Sequence, residues 1–120
     1  MLRQLLNHAK YALLAAILIT TNAHALSAAD VVAMAVGETD ARVEALNKAL
    51  TQADDTTAAY IQAMSDDTVK ISGGKVLILK GDKAIDPVTG AESPLPANVE
   101  DIINNNRMRG ELDAALAGLK

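Results

Sequence analysis

The sequence predicts an α+β fold in which a group of helices precedes a small antiparallel sheet and a last helix follows it. Two patterns indicate this order. Apolar residues recur at helical spacing over residues 27–65 and again over 107–119, whereas residues 68–86 alternate and contain glycine turns. Half of the 120 residues are hydrophobic and 22% are charged, a composition unlike that of a disordered chain.

The first 25 residues have the three parts of a secretory signal peptide. Arg3 and Lys10 make the start of the chain basic, an apolar run follows at 11–19, and the Ala-His-Ala sequence at 23–25 fits the small-x-small cleavage pattern. A membrane anchor needs about 20 apolar residues, so cleavage is favoured over an anchor. We expect residues 26–120 to be exported, and in a bacterial cell to lie in the periplasm.

Cleavage would remove both histidines, and the sequence has no cysteine. The mature chain would then have no Ser-His-Asp triad, no Cys-His pair and no His or Cys ligand for a metal. Its net charge would change from −4 to −6, which argues against a nucleic-acid partner because phosphate binding needs clustered lysine and arginine. We expect neither enzyme activity nor a cofactor.

Three short helices are predicted between the cleavage site and residue 66. Capping side chains mark the beginning of the first and of the third, and Gly37 is expected to end the first. The predicted starting residues are Ser27, Thr39 or Asp40, and Asp54 or Asp55. The predicted apolar contacts are Val31, Val32, Ala35, Val36, Val43, Leu46, Leu50, Tyr60, Ile61 and Met64. The charged residues expected to point away from this core are Arg42, Glu44 and Lys48.

Residues 68–86 predict a three-stranded antiparallel meander. Apolar and polar residues alternate in the first strand, which ends at a Gly-Gly pair at 73–74 that can form a two-residue hairpin turn. The second strand holds the apolar run 76–79, a pattern typical of a strand covered on both faces. A second turn at 81–82 leads to a short third strand at 83–86.

The remaining residues are predicted to form a loop at 87–97, one helical turn at 99–103 and a final helix from about Arg107. The asparagines before that helix favour caps and turns. The apolar stripe of the final helix consists of Leu112, Ala115, Leu116 and Leu119. Because this helix reaches Lys120 without a C-cap, we expect a shortened chain whose stripe needs a further helix as its partner.

Several motifs that could carry chemistry have simpler explanations. Carboxylates occur as neighbours at 54–55, 66–67 and 100–101, but adjacent residues point in different directions, which favours helix capping over acid–base catalysis. The Gly-Gly-Lys sequence at 73–75 is followed by valine rather than by serine or threonine, unlike a phosphate-binding loop. The four lysines of the meander are expected to keep its edges soluble.

A polar and basic segment after the sheet is the candidate interaction surface. Its residues are Asn104, Asn105, Asn106, Arg107 and Arg109. The two arginines flank Met108 next to the run of three asparagines. The alternative explanation is that they are solvated charges on the final helix.

The second half of the chain resembles a known family. The matching series is KISGGKVLILK at 70–80, AIDPVTG at 84–90, Leu-Pro at 95–96 and EDIINNNRMRGELDAAL at 100–116. This series resembles the N-terminal extracytoplasmic region of the permease subunit of urea ABC transporters, which belong to the branched-chain amino-acid type of ABC permease. The Asn-Asn-Asn-Arg-Met-Arg run with the helix after it is the most specific part.

The resemblance implies that residues 26–120 are an extracytoplasmic domain of a transporter subunit whose membrane domain is missing from this sequence. The implied partners are a second permease subunit, ATPase subunits and a periplasmic urea-binding protein, and the full-length member lies in the inner membrane. We therefore expect a non-catalytic accessory part of a permease for urea, a related small amide or a branched-chain amino acid. The alternative is a free-standing small periplasmic binding or interaction protein.

Overall fold

The computed structural model describes residues 26–119, and the predicted signal peptide lies outside them. This part of the chain forms four helices and one five-stranded antiparallel sheet, which confirms the predicted α+β class. The helices are α1 (Ala28–Ala35), α2 (Thr39–Leu50), α3 (Asp55–Ser65) and α4 (Asn106–Gly118). The strands are β1 (Val69–Ser72), β2 (Lys75–Lys80), β3 (Lys83–Ile85), β4 (Glu92–Pro94) and β5 (Glu100–Asp101).

The predicted caps of α1 and α3 are confirmed. Ser27 Oγ accepts a hydrogen bond from the Asp30 amide at 3.1 Å, and Asp30 accepts one in return from the Ser27 amide. Asp54 Oδ1 accepts a hydrogen bond from the Thr57 amide at 2.9 Å. These local bonds satisfy amides that have no partner within the helix, so both helices begin where a capping side chain stands in the sequence.

The centre of the sheet is the predicted meander, and its strand order is β4-β3-β2-β1-β5. The first hairpin pairs Ser72 with Lys75, and both glycines of the turn have positive φ, 55° and 77°. This geometry suits the right-handed twist of the flanking strands and is readily adopted only by glycine, asparagine or aspartate. The turn chemistry therefore sets the register of the hairpin.

The two edge strands were not predicted, so the prediction of three strands is wrong. β4 lies inside the segment predicted as a loop at 87–97, and β5 lies where one helical turn was predicted at 99–103. Neither segment has a strong intrinsic preference for a strand. β5 is extended because it pairs with β1, which lies about thirty residues earlier in the chain. Ile71 is opposite Glu100.

β4 and β5 are consecutive in the chain but lie at opposite edges of the sheet. The connection at 95–99 therefore crosses the three strands between them in five residues, with a bend at Ala97. Leu77 and Ala84 are buried on the sheet face away from the helices and share a cavity of about 280 Å³ with Pro96. This places the crossing segment on that face.

The core lies between the helices and the other face of the sheet. Its largest fully buried side chains are Tyr60, Met34, Leu46, Ile61, Met64, Met108, Leu112 and Thr57. In α1, Val32 and Val36 belong to the apolar pattern of the sequence but are partly exposed. Met34 is buried in their place because α1 packs through only one side.

The apolar stripe of α4 packs inside the chain. Leu112 and Ala115 are buried, and Leu116 and Leu119 are partly buried against the same core. α4 contacts α2 and α3, which supply the partner surface. The expectation that this stripe needs a helix from outside the chain is therefore wrong.

Tyr60 is the only aromatic side chain of residues 26–120, and it is buried as predicted. Its hydroxyl donates a hydrogen bond of 2.7 Å to the Val31 carbonyl. Burial raises the pKa of Tyr60 above its ordinary range, and this effect exceeds the opposing effect of the nearby Arg42 charge. The neutral phenol is therefore the form that the folded state favours.

We expect Tyr60 to resist ionisation for as long as residues 26–120 stay folded. Because its pKa is raised on folding, its contribution to stability is complete below pH about 10 and is lost as the pH rises above that value. An ultraviolet titration of residues 26–120 should show tyrosinate only together with unfolding followed by circular dichroism. Tyr60→Phe should remove the share of the alkaline loss of stability that comes from ionisation of Tyr60. Reversible ionisation near pH 10 in the folded protein would contradict the burial.

Candidate functional site

Arg42 of α2 is the polar centre of the helical layer. Its side chain is only 4% exposed, so the prediction that it points away from the core is wrong. Nε donates a hydrogen bond to the Met34 carbonyl at 2.9 Å, Nη1 donates to the Ile103 carbonyl at 2.8 Å, and Nη2 donates to Asn104 Oδ1 at 2.6 Å. The planar guanidinium suits this task because its donors point in several fixed directions.

Asn104 completes the same network from the other side. Its Oδ1 accepts from Arg42, and its Nδ2 donates to the Met64 carbonyl at 3.2 Å. The Asn104 side chain is 8% exposed. The Arg42–Asn104 pair therefore joins α1, α2, α3 and the segment between β5 and α4 through side chains that are shielded from water.

Neutral groups are the hydrogen-bond acceptors of the buried Arg42 charge. Two of its contacts lie in the last turns of helices, Met34 in α1 and Met64 in α3. The C-terminal end of a helix carries a partial negative charge, so these two ends take the place of a counter-ion. Burial lowers the pKa of Arg42, but a guanidinium stays protonated at physiological pH.

A sequence signal for the burial of Arg42 does exist. Arg42 lies four residues before Leu46, so both occupy the same side of α2. An arginine on the apolar face of a helix is either snorkelling to solvent or buried with acceptors. The acceptors come from distant parts of the chain, which the helical pattern does not reveal.

The candidate interaction residues after Asn104 also contact other parts of the chain. Asn105 caps α4: its Oδ1 accepts from the Met108 amide at 2.9 Å, and its Nδ2 donates to Thr39 Oγ1 at 2.7 Å. The preference of asparagine for a cap is thus realised at the second residue of the run. Asn106 is the first residue of α4 and is exposed.

The two arginines of the candidate surface form ion pairs on the outside of the domain. Arg107 pairs with Asp40 at the start of α2. Arg109 Nη2 lies 3.2 Å from both carboxylate oxygens of Asp67. Because these four side chains are largely exposed, each pair contributes little to stability. The pairs link the surface of α4 to α2 and to the turn after α3.

Ile103 is the most exposed large hydrophobic residue among residues 26–119, at 83%. The others with substantial exposure, Val32, Val36 and Leu95, are at 38–45%. The sequence predicted one helical turn at 99–103, and this prediction is wrong. The backbone is extended here, so successive side chains alternate. Ile102 packs against the core and Ile103 points into solvent.

A polar depression of about 360 Å³ lies beside Ile103. Its lining residues are Asp67, Lys70, Asp101, Ile102, Ile103, Asn104 and Arg109. Lys70 Nζ lies 2.7 Å from Asp101, and Asp67 is held by Arg109. Each ion pair joins one positive and one negative side chain, so the depression presents charges of both signs without a net excess.

The neighbouring carboxylates have separate roles in the structure. Asp54 caps α3, and hydrogen bonding from the Thr57 amide lowers the pKa of its carboxyl. Asp66 accepts a hydrogen bond from Gln62 at 3.0 Å, whereas Asp67 contacts Arg109. Among residues 26–119, no group of three or more acidic, histidine or cysteine side chains could hold a metal ion.

Comparison with known proteins adds no relative: no protein-family model, no curated protein and no solved structure matches this chain. Within residues 26–119, no helix combines the length and apolar character needed to cross a membrane. Residues 26–119 form a small α+β domain in which Arg42 holds the segment between β5 and α4, and Ile103 of that segment points into solvent.

Proposed function

We propose that this chain is a non-catalytic extracytoplasmic interaction domain of an ABC-type permease subunit for urea, a related small amide or a branched-chain amino acid. One observation carries the proposal. The segment 100–109, which holds the most specific part of the resemblance, is hydrogen-bonded to α2 and α3 through Arg42 and Asn104. A loop held this firmly presents its outer side chains in a fixed arrangement, as a recognition surface requires.

The contacts of the charged residues favour binding over catalysis. A general acid or base must reach a reacting group in an open cleft. The carboxylates around the depression instead form ion pairs with Lys70 and Arg109. Carboxylates that are paired in this way belong to a surface and are not free to act as a general acid or base.

The proposed location and partners follow from the resemblance. Residues 1–25 direct export, residues 26–120 lie in the periplasm, and the full-length permease lies in the inner membrane. Its partners are a second permease subunit, cytoplasmic ATPase subunits and a periplasmic urea-binding protein. Nucleic acid is not among them.

We expect in-frame removal of residues 26–119 to reduce the uptake of isotopically labelled urea by cells that make this protein. Residues 1–25 are kept so that export is unchanged, and uptake of a solute carried by an unrelated transporter is the control. Purified residues 26–120 should hydrolyse no ATP. Unchanged urea uptake after the deletion, or ATP hydrolysis by the purified chain, would contradict the proposal.

A free-standing periplasmic binding or interaction protein is the second candidate function. It is favoured by the packing of α4, whose stripe is covered by α2 and α3. A domain with such a core can fold by itself. Cooperative unfolding of residues 26–120 together with unchanged urea uptake in the deletion strain would select this candidate.

A further inference from the structure

We infer that the folded domain shields its own signal-peptide cleavage site, so that a signal peptidase cuts between residues 25 and 26 only while α1 is undocked. The inference rests on the proposed export of residues 26–120 and adds a proteolytic site whose use depends on the folding state. The peptidase breaks the bond between the Ala25 carbonyl carbon and the Leu26 nitrogen. One water molecule is consumed, which leaves a carboxylate on Ala25 and an ammonium group on Leu26.

The fold begins directly at the predicted cleavage site. Leu26 is only 2% exposed and belongs to the hydrophobic core. The Ser27 amide donates a hydrogen bond to Asp30 at 3.1 Å, and the Ser27 hydroxyl caps α1. Chain ends are usually poorly ordered, and loose exposed segments are the preferred sites of proteolysis. The first residues after this site are instead tied into the domain.

Buried hydrogen bonds hold α1 against the rest of the domain. The Tyr60 hydroxyl donates to the Val31 carbonyl at 2.7 Å, and Arg42 Nε donates to the Met34 carbonyl at 2.9 Å. Undocking of α1 would break both bonds and expose Leu26 to water. Each of these losses costs free energy, so molecules with α1 undocked should be a small fraction of the folded population.

The folded arrangement does not suit a peptidase. An extended peptide is commonly recognised through its main-chain hydrogen bonds and through pockets for its side chains. The Ser27 amide already donates to Asp30, and the Leu26 side chain already lies in the core. When reclosing is fast, the rate of proteolysis follows the fraction of open molecules. Cleavage and folding of the exported chain therefore compete, and a precursor that folds first keeps residues 1–25.

The experiment compares two full-length precursors, both folded and purified in detergent micelles. The first is the unmodified chain. The spacer variant has the sequence Leu-Ser-Gly-Ser-Gly-Ser inserted after residue 25, so the residues next to the bond are unchanged but a flexible segment now precedes the fold. Two synthetic peptides of residues 11–36, one with the insertion, give the intrinsic cleavage rates, because an isolated eight-residue helix does not form in water.

Purified signal peptidase should cut the unmodified folded precursor at least about tenfold more slowly than the spacer variant. The two peptides should be cut at equal rates, and the product of the unmodified chain should begin at Leu26. Equal rates for the two precursors would overturn the inference. So would peptides that differ as much as the precursors do, cleavage at another bond, or no cleavage of either peptide.

A second comparison loosens α1 without changing the sequence next to the bond. Arg42→Met removes the hydrogen bond to the Met34 carbonyl, so α1 should undock more often and the precursor should be cut faster than the unmodified chain. Lys83→Met is the control, since Lys83 is an exposed residue of β3. It should be cut at the rate of the unmodified precursor. A rate for Arg42→Met equal to that of Lys83→Met would contradict the role of docking.

The two proposals can fail separately. If urea uptake survives deletion of residues 26–119 while the folded precursor is still cut slowly, the transporter role fails and the shielding stands. If uptake needs the domain but the folded precursor is cut as fast as the spacer variant, the shielding fails and the transporter role stands.

Discussion

Replacing Arg42 with methionine is expected to lower the free energy of unfolding by about 3–5 kcal/mol, because it leaves several acceptors inside the fold without a donor and each such group costs about 1–3 kcal/mol. Methionine fills much of the space but donates no hydrogen bond. The buried Met34 carbonyl and Asn104 Oδ1 and the partly buried Ile103 carbonyl would lose their donors. The loss is large for a small domain, whose total stability is about 5–15 kcal/mol.

Chemical denaturation of residues 26–120 followed by circular dichroism measures this effect. Lys48→Met is the matched control, because Lys48 lies on the same helix with a side chain that is 79% exposed. It should change the free energy of unfolding by less than about 0.5 kcal/mol, which is usual for a surface site. Equal stabilities of Arg42→Met and the parent would show that the network contributes nothing.

A lysine at position 42 separates the role of charge from the role of shape. Arg42→Lys keeps the positive charge but has one compact ammonium group, which cannot reach acceptors on three separate segments. We expect it to be nearly as unstable as Arg42→Met. Adding Asn104→Leu to Arg42→Met should then cost less than the sum of the two single changes, because both residues belong to one network.

Replacing Leu112 with alanine should destabilise the domain by about 2–5 kcal/mol, the range for a leucine removed from a tight core. Leu112 is fully buried where α4 packs on α2 and α3. Truncation leaves a cavity that the surrounding helices can fill only in part. The same denaturation measurement gives the size of the loss.

Leu119→Ala is the control for this second prediction. Leu119 belongs to the same stripe but lies after the last residue of α4 and is only partly buried. Its truncation should cost clearly less than that of Leu112. Similar small losses for both leucines would mean that α4 does not dock on the core in solution, and the partner helix expected from the sequence would again be needed.

The asparagines of the candidate interaction surface show which roles a local sequence pattern can predict. The asparagine run was expected to favour caps, and Asn105 is the cap of α4. The same run contains Asn104, whose role depends on Arg42 more than sixty residues earlier in the chain. Local composition reveals the first role, since the cap and its amide are three residues apart, but not the second.

The position of Ile103 illustrates the same limit on one residue. Val99, Ile102 and Ile103 have spacings that fit one side of a helical turn. The pairing of β5 with β1 holds this stretch extended, and an extended chain sends neighbouring side chains to opposite sides. Ile103 is therefore the most exposed large hydrophobic residue among residues 26–119.

The sequence by itself determined the four helices, the caps of α1, α3 and α4 and the glycine hairpin, because each depends on hydrogen bonds or backbone preferences within a few residues. The secretory signal and the transporter class are also predictions of the sequence, and the experiments above test the transporter role. Only the tertiary structure decided the two edge strands, the burial of Arg42 and the exposure of Ile103. These depend on contacts between segments far apart in the chain, where a neighbour's hydrogen bonds and packing outweigh local preference.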